Sequence, residues 1–112
     1  DASYLTHDEN VNRAYVEDEL VFKRGTVRLF VEMIKAMNWA FENAERLSIP
    51  ILMMHGSDDK IIPPEASKEF FKKIKVIDKE LKIFPRFYHE IFNEKEKEKA
   101  LNTALKWVNN HL

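Results

Sequence analysis

The chain has 112 residues, 45% hydrophobic and 33% charged, which excludes a disordered segment and bounds it to one domain or part of one. With 18 Lys and Arg against 19 Asp and Glu, the net charge of -1 argues against a nucleic-acid or anionic-membrane surface. Cysteine is absent, so disulfide and thiolate chemistry are excluded and a reducing, cytoplasmic setting is expected. No apolar run approaches the roughly 20 residues of a transmembrane helix, and Asp1 to Leu5 lacks the basic and apolar regions of a signal peptide.

Residues 1–25 read as an irregular arm, with a short helix over Asp8 to Tyr15 capped by Thr6 or Asp8. A long helix is predicted from Thr26, a good N-cap, to about Leu47. Val27, Phe30, Val31, Ile34, Met37, Phe41, Ala44 and Leu47 recur at steps of three and four, and Trp39 and Ala40 widen the stripe. Such a face needs a surface along its whole length. Pro50 ends the helix by pushing the preceding residue out of the α region.

Ile51-Leu52-Met53-Met54 is apolar without alternation, the pattern of a strand covered on both faces in a parallel sheet. Pro63-Pro64-Glu65 opens the next helix, with Pro64 tolerated in the first turn and Glu65 at the positive end of the dipole. Its inner face is Ala66, Phe70, Phe71 and Ile74; Lys68, Lys72, Lys73 and Lys75 face water. Leu81 to Phe84 is the second strand, parallel to the first because a helix connects them. Alternating charge over Glu94 to Lys99 reads as a solvated first turn of a last helix from about Lys95 to Leu112, with Leu101, Ala104, Leu105, Val108 and Leu112 inward. Two strands and three helices do not complete a doubly wound sheet. The chain reads as the end of a larger α/β fold.

The first strand stops at His55-Gly56-Ser57-Asp58-Asp59, and the second just before Pro85-Arg86-Phe87-Tyr88-His89. An acid after one strand and a histidine after the next is the later two thirds of a triad in the chain order Ser, acid, His. The nucleophile elbow Gly-x-Ser-x-Gly is missing, because the two glycines are Gly25 and Gly56. Ser57 follows the acid's strand and lacks the second glycine, so it is not read as the nucleophile.

The segment Ile49 to Pro63 resembles the penultimate strand and acid turn of the monoacylglycerol lipase and lysophospholipase branch of the α/β-hydrolases. The Gly-x-x-Asp of that family falls on Gly56 to Asp59. Lys79 to Phe84 followed by Tyr88-His89-Glu90 is similar to its last strand and catalytic-histidine loop. Ser3 to Asp8 and Arg13 to Leu20 resemble the segment leaving the family's cap. The resemblance implies residues 1–25 as the end of a cap and 26–112 as the C-terminal βαβα part of the core. It implies Asp59 as the triad acid and His89 as the base. The earlier strands, serine elbow and oxyanion donors would lie outside the chain, and His55-Gly56 follows the wrong strand to be that oxyanion motif.

The same resemblance implies a serine esterase acting on monoacylglycerols or lysophospholipid-type esters, with no metal or cofactor, of which this chain alone is inactive. Its partners would be a lipid or small ester substrate and either the preceding part of the same protein or a second copy. Two alternatives stand beside it: another α/β-hydrolase such as a dehalogenase, epoxide hydrolase or aminopeptidase, and a non-catalytic βαβ module that dimerises. Asp58 is read as a turn residue, and His55 as packing or hydrogen-bonding near the site. His7 and His111 are expected to be solvated. Met33, Met37, Met53, Met54, Phe30, Trp39 and Phe41 are read as core or as the lining of an acyl pocket.

Overall fold

The computed structural model describes residues 1–112. The elements in order are α1 (Glu9–Glu17), α2 (Val27–Glu42), β1 (Ile51–Gly56), α3 (Pro64–Lys73), β2 (Lys79–Phe84) and α4 (Glu98–Asn109), with short 3-10 turns at Ala2–Tyr4 and Ala44–Arg46. The caps are those the sequence dictates. Asp8 accepts from the Asn10 amide to start α1, Thr26 accepts from the Leu29 amide to start α2, and Pro64 opens α3.

β1 and β2 pair in parallel and in step, Ile51 opposite Lys79 through to Gly56 opposite Phe84. Both strands therefore deliver the chain to the same edge of the sheet at the same level. α3 makes the crossover. Its C-terminal end is tied to β2 by Lys79, whose Nζ donates to Phe71 O at 3.0 Å and Ile74 O at 2.6 Å, a cation placed on the negative end of a helix. The small core under the loops consists of Phe84, Phe87, Ile91 and Ala100, with Met54 packed against it.

Four expectations require correction. α2 stops at Glu42 rather than near Leu47: Trp39 O accepts both the amide and the side chain of the capping Asn43, and the chain then tightens into the 3-10 turn Ala44–Arg46. Its stripe is not covered within this chain: Val27 is 82% and Phe30 60% exposed, and its aromatic contact with α3 is one edge-on pair, Phe41 against Phe70 at 5.2 Å. In α4 the side chain driven inward is Ala100, small enough to let the helix approach the Phe84 and Phe87 rings, while Leu101, Leu105, Val108 and Leu112 are exposed. β1, read as covered on both faces, is half-buried for the same lack of neighbours.

These open faces register in bulk. The chain exposes 8512 Å², whereas a compact monomer of this size exposes about 6,500 Å². Its radius of gyration is 15.8 Å, against about 13 Å for a compact chain of this length. No helix is long and apolar enough to cross a membrane.

Candidate active site

The in-step ends of β1 and β2 place two turns side by side. The Ser57 amide donates to Phe84 O at 2.9 Å and the Asp58 amide to Phe87 O at 3.0 Å, while the Arg86 amide donates to Ser57 Oγ at 2.7 Å. Arg86 adopts a φ of 63°, a left-handed conformation that a non-glycine residue holds only where its surroundings enforce it. Gly56 makes the approach possible. A Cβ there would lie 2.2 Å from Tyr88 O and 2.3 Å from Phe87 O. Across the outside, Lys60 Nζ donates to Tyr88 Oη at 3.2 Å and lies 4.7 Å from the Tyr88 ring centre and 5.1 Å from that of Tyr4.

Asp59 and His89 meet between these turns. His89 Nδ1 lies 2.8 Å from Asp59 Oδ2. Oδ1 accepts from the Ile61 amide at 2.8 Å and the Ile62 amide at 3.0 Å. The Asp59 side chain is 2% exposed and that of His89 38%. Burial pushes the Asp59 carboxyl up, but the bonds from the Ile62 amide, His89 and the Ile61 amide together outweigh it and hold the carboxyl below its ordinary value. An ionised carboxylate only accepts, so the proton between the two groups sits on Nδ1 and the lone pair of the imidazole on Nε2. That Nε2 has no partner in the chain.

The other marked residues separate cleanly. Ser57 Oγ donates to Asp58 Oδ1 and receives the Arg86 amide, with no bond to His89. Asp58 is exposed in the turn. His55 is nearly buried behind Asp59. His7 and His111 are exposed, as expected, and each also makes specific contacts. His7 stacks on Tyr88 at 3.7 Å and bonds to Glu94 at 2.9 Å, and His111 stacks on Trp107 at 3.9 Å and pairs with Asp78 at 3.1 Å. Met33 and Met37 are exposed on α2, and Met54 belongs to the core under the loops. An apolar recess of about 290 Å³ is lined by Trp39, Leu47 and Phe70 and does not reach Asp59 or His89. No group of three or more His, Asp or Glu side chains is arranged to hold a metal ion.

One residue read as solvated is central instead. Glu94 is 4% exposed, and its carboxylate receives the Tyr88 amide at 2.7 Å, the His7 amide at 3.1 Å and His7 Nδ1 at 2.9 Å. Burial pushes the Glu94 carboxyl up, and the bonds from the Tyr88 amide and from His7 outweigh it and draw it below the ordinary value. Thr6 Oγ1 donates to Asn93 O at 2.8 Å and the Glu90 amide to Leu5 O at 2.8 Å, so the N-terminal arm is laced to the histidine loop. A charge run hides this, because pattern gives no signal that one carboxylate of the run turns inward.

Residues 1–96 match the family Hydrolase_4, serine aminopeptidase, S33. The chain is 31% identical over 116 residues to the monoacylglycerol lipase of Mycolicibacterium smegmatis, covering 100% of this chain and 40% of the relative. It superposes with a TM-score of 0.95 and 34% identity on the crystal structure of Paleococcus ferrophilus monoacylglycerol lipase, covering 100% of this chain and 44% of that one. A soluble variant of monoglyceride lipase from Saccharomyces cerevisiae in complex with a substrate analog gives 0.85 and 26%, with 42% of that chain covered. The chain thus spans less than half the length of each of these relatives. Its two parallel strands, their crossover helix and the flanking helices are part of an α/β-hydrolase fold, and the chain belongs to the Hydrolase_4 (S33) family.

Proposed function

We propose that the protein carrying this chain is a carboxylic-ester hydrolase acting on monoacylglycerols or lysophospholipid-type esters through a Ser-His-Asp triad. The observation that carries the reading is the Asp59–His89 pair, 2.8 Å apart, on the ends of adjacent parallel strands with His89 Nε2 left open. Asp59 holds the imidazole in the Nδ1–H tautomer and stabilises it once charged. His89 Nε2 takes the serine proton as the hydroxyl attacks the ester carbonyl. It then passes that proton to the leaving alcohol, and an acyl-enzyme forms. A water, deprotonated by the same nitrogen, releases the fatty acid and restores the serine. This chemistry draws on no metal or organic cofactor.

The nucleophile and oxyanion donors belong to sequence outside these residues, with residues 1–25 as the end of a cap and 26–112 as the C-terminal part of the core. Acid and base without a nucleophile have nothing to activate, so the chain by itself is inactive. The test is fluorophosphonate labelling read by intact mass, run on this chain and on the complete polypeptide. A label on the complete polypeptide alone, lost on His89→Ala, supports the reading. A label on the isolated chain that Ser57→Ala removes would overturn it. Turnover of 1-monoacylglycerol against epoxide, haloalkane and aminoacyl-anilide probes then separates this hydrolase from other α/β-hydrolases.

A further inference from the structure

Behind Asp59 lies a second histidine that the triad chemistry does not use. His55, on β1, has a ring 11% exposed. Its Nε2 lies 3.0 Å from Ile62 O and 3.1 Å from Asp59 Oδ2. Its Nδ1 lies 2.7 Å from Ser67 Oγ on α3. A carbonyl and a carboxylate both accept, so a bare lone pair on Nε2 would face two oxygens. Nε2 therefore carries the proton, and Nδ1 accepts the Ser67 hydroxyl.

The consequence for the acid is geometric. Asp59 Oδ1 receives the Ile61 and Ile62 amides, and the Nε2–H of His55 is held by Ile62 O from the same turn. His55 thus grips the turn that grips Asp59. Its N–H also lies beside Oδ2, the same oxygen that His89 uses through Nδ1. Rotation of the carboxylate that would exchange its oxygens has to break contacts on both.

We propose that His55, oriented by Ser67, is a positioning residue for the Asp59–His89 pair: it fixes the Ile61–Ile62 turn and shares Asp59 Oδ2 with His89. The kinetic arm of this proposal rests on the esterase reading. The spectroscopic arm does not.

The experiment uses the complete polypeptide with isotope-labelled histidine. Exchange of the far-downfield Nδ1–H proton of His89 is followed by NMR, alongside turnover of 1-monoacylglycerol. In His55→Leu the Nδ1–H of His89 exchanges at least about tenfold faster, and kcat falls about tenfold with KM within about twofold, the size of a misplacement well under 1 Å in a positioned group. His55→Gln, whose amide N–H reaches the Nε2 position, restores both. Ser67→Ala removes only the orienting hydroxyl and gives a smaller change in the same direction, which decides the matter if His55→Leu does not fold. Parental exchange of the His89 proton in whichever of the two folds overturns the proposal. So does a loss of kcat with a parental His89 signal that His55→Gln fails to rescue, since that is the mark of a merely structural role. If the complete polypeptide hydrolyses no ester, the esterase reading fails while the His89 signal still answers for His55.

Discussion

Gly56→Ala is the sharpest test of how the two turns are held. The added methyl would stand 2.2 Å from Tyr88 O and 2.3 Å from Phe87 O, both backbone atoms that no rotamer change can move aside. A carbon and a carbonyl oxygen come no nearer than about 3.3 Å, so the histidine turn has to withdraw by roughly 1 Å. The Asp58 amide bond to Phe87 O, now 3.0 Å, and the His89 bond to Asp59, now 2.8 Å, both lie across the gap that opens. Overpacking of this kind costs about 1–3 kcal/mol. A 1 Å misplacement of a catalytic group costs about 100-fold in rate. The assay is urea unfolding of the complete polypeptide together with ester turnover and the Nδ1–H resonance of His89. Turnover should fall about 100-fold, equivalent to about 2.7 kcal/mol and so comparable to the stability loss, and the resonance should broaden. Parental turnover with an intact His89 signal would refute the argument that Gly56 sets the spacing of acid and base.

Three further outcomes rest on the same geometry. The Asp59 and Glu94 carboxyls both sit below their ordinary values of 3.8 and 4.5, so each adds stability that is complete above about pH 5 and lost as pH falls through its lowered folded-state value; urea midpoints at pH 7, 5, 4 and 3 should drop at the acid end, and Asp59→Asn with Glu94→Gln should flatten that drop. Glu94→Ala leaves the Tyr88 amide and His7 without their acceptor. This should cost about 1–3 kcal/mol and free the N-terminal arm, seen as faster amide exchange over residues 2–8; an unchanged melting temperature would count against it. Finally, a chain that exposes 8512 Å² with an apolar α2 should associate when expressed alone; a clean monomer by light scattering would show that the open faces tolerate water.

The two strands were legible from local signals, apolar runs without alternation, while Asp59 and His89 were singled out through the family resemblance, and the structure brings these two side chains within 2.8 Å. Asp8, Thr26 and Pro64 likewise mark helix starts that are set by side chains within the same turn. The rest was out of reach for a different reason. Which face of α4 turns inward depends on how close Ala100 lets it come to Phe84 and Phe87, and Leu101 and Leu105 are equally apolar. Glu94 belongs to a run of alternating charges, and its burial is imposed by Tyr88 and His7 from elsewhere in the chain. Gly56 is visible as a glycine, but the carbonyl oxygens that forbid any other residue there come from the other strand's turn. The long stripe of α2 pointed to a covered helix, whereas Val27, Phe30 and Met37 are exposed, because no element among these residues packs along it.

The bond set around Glu94 bears on how this region could be rebuilt. His7 arrives from the start of the chain and Tyr88 from the turn before His89, and the Glu94 carboxylate holds both in one knot, while Thr6 bonds to the adjoining Asn93 carbonyl. A chimera that exchanges the N-terminal arm between relatives at a boundary after Asp8 would cut through that knot. It would bring in a foreign partner for Glu94 and disturb the loop that carries His89 without altering any residue of it. Recombination therefore keeps this knot only when positions 7 and 94 travel together, although they stand 87 positions apart in the chain.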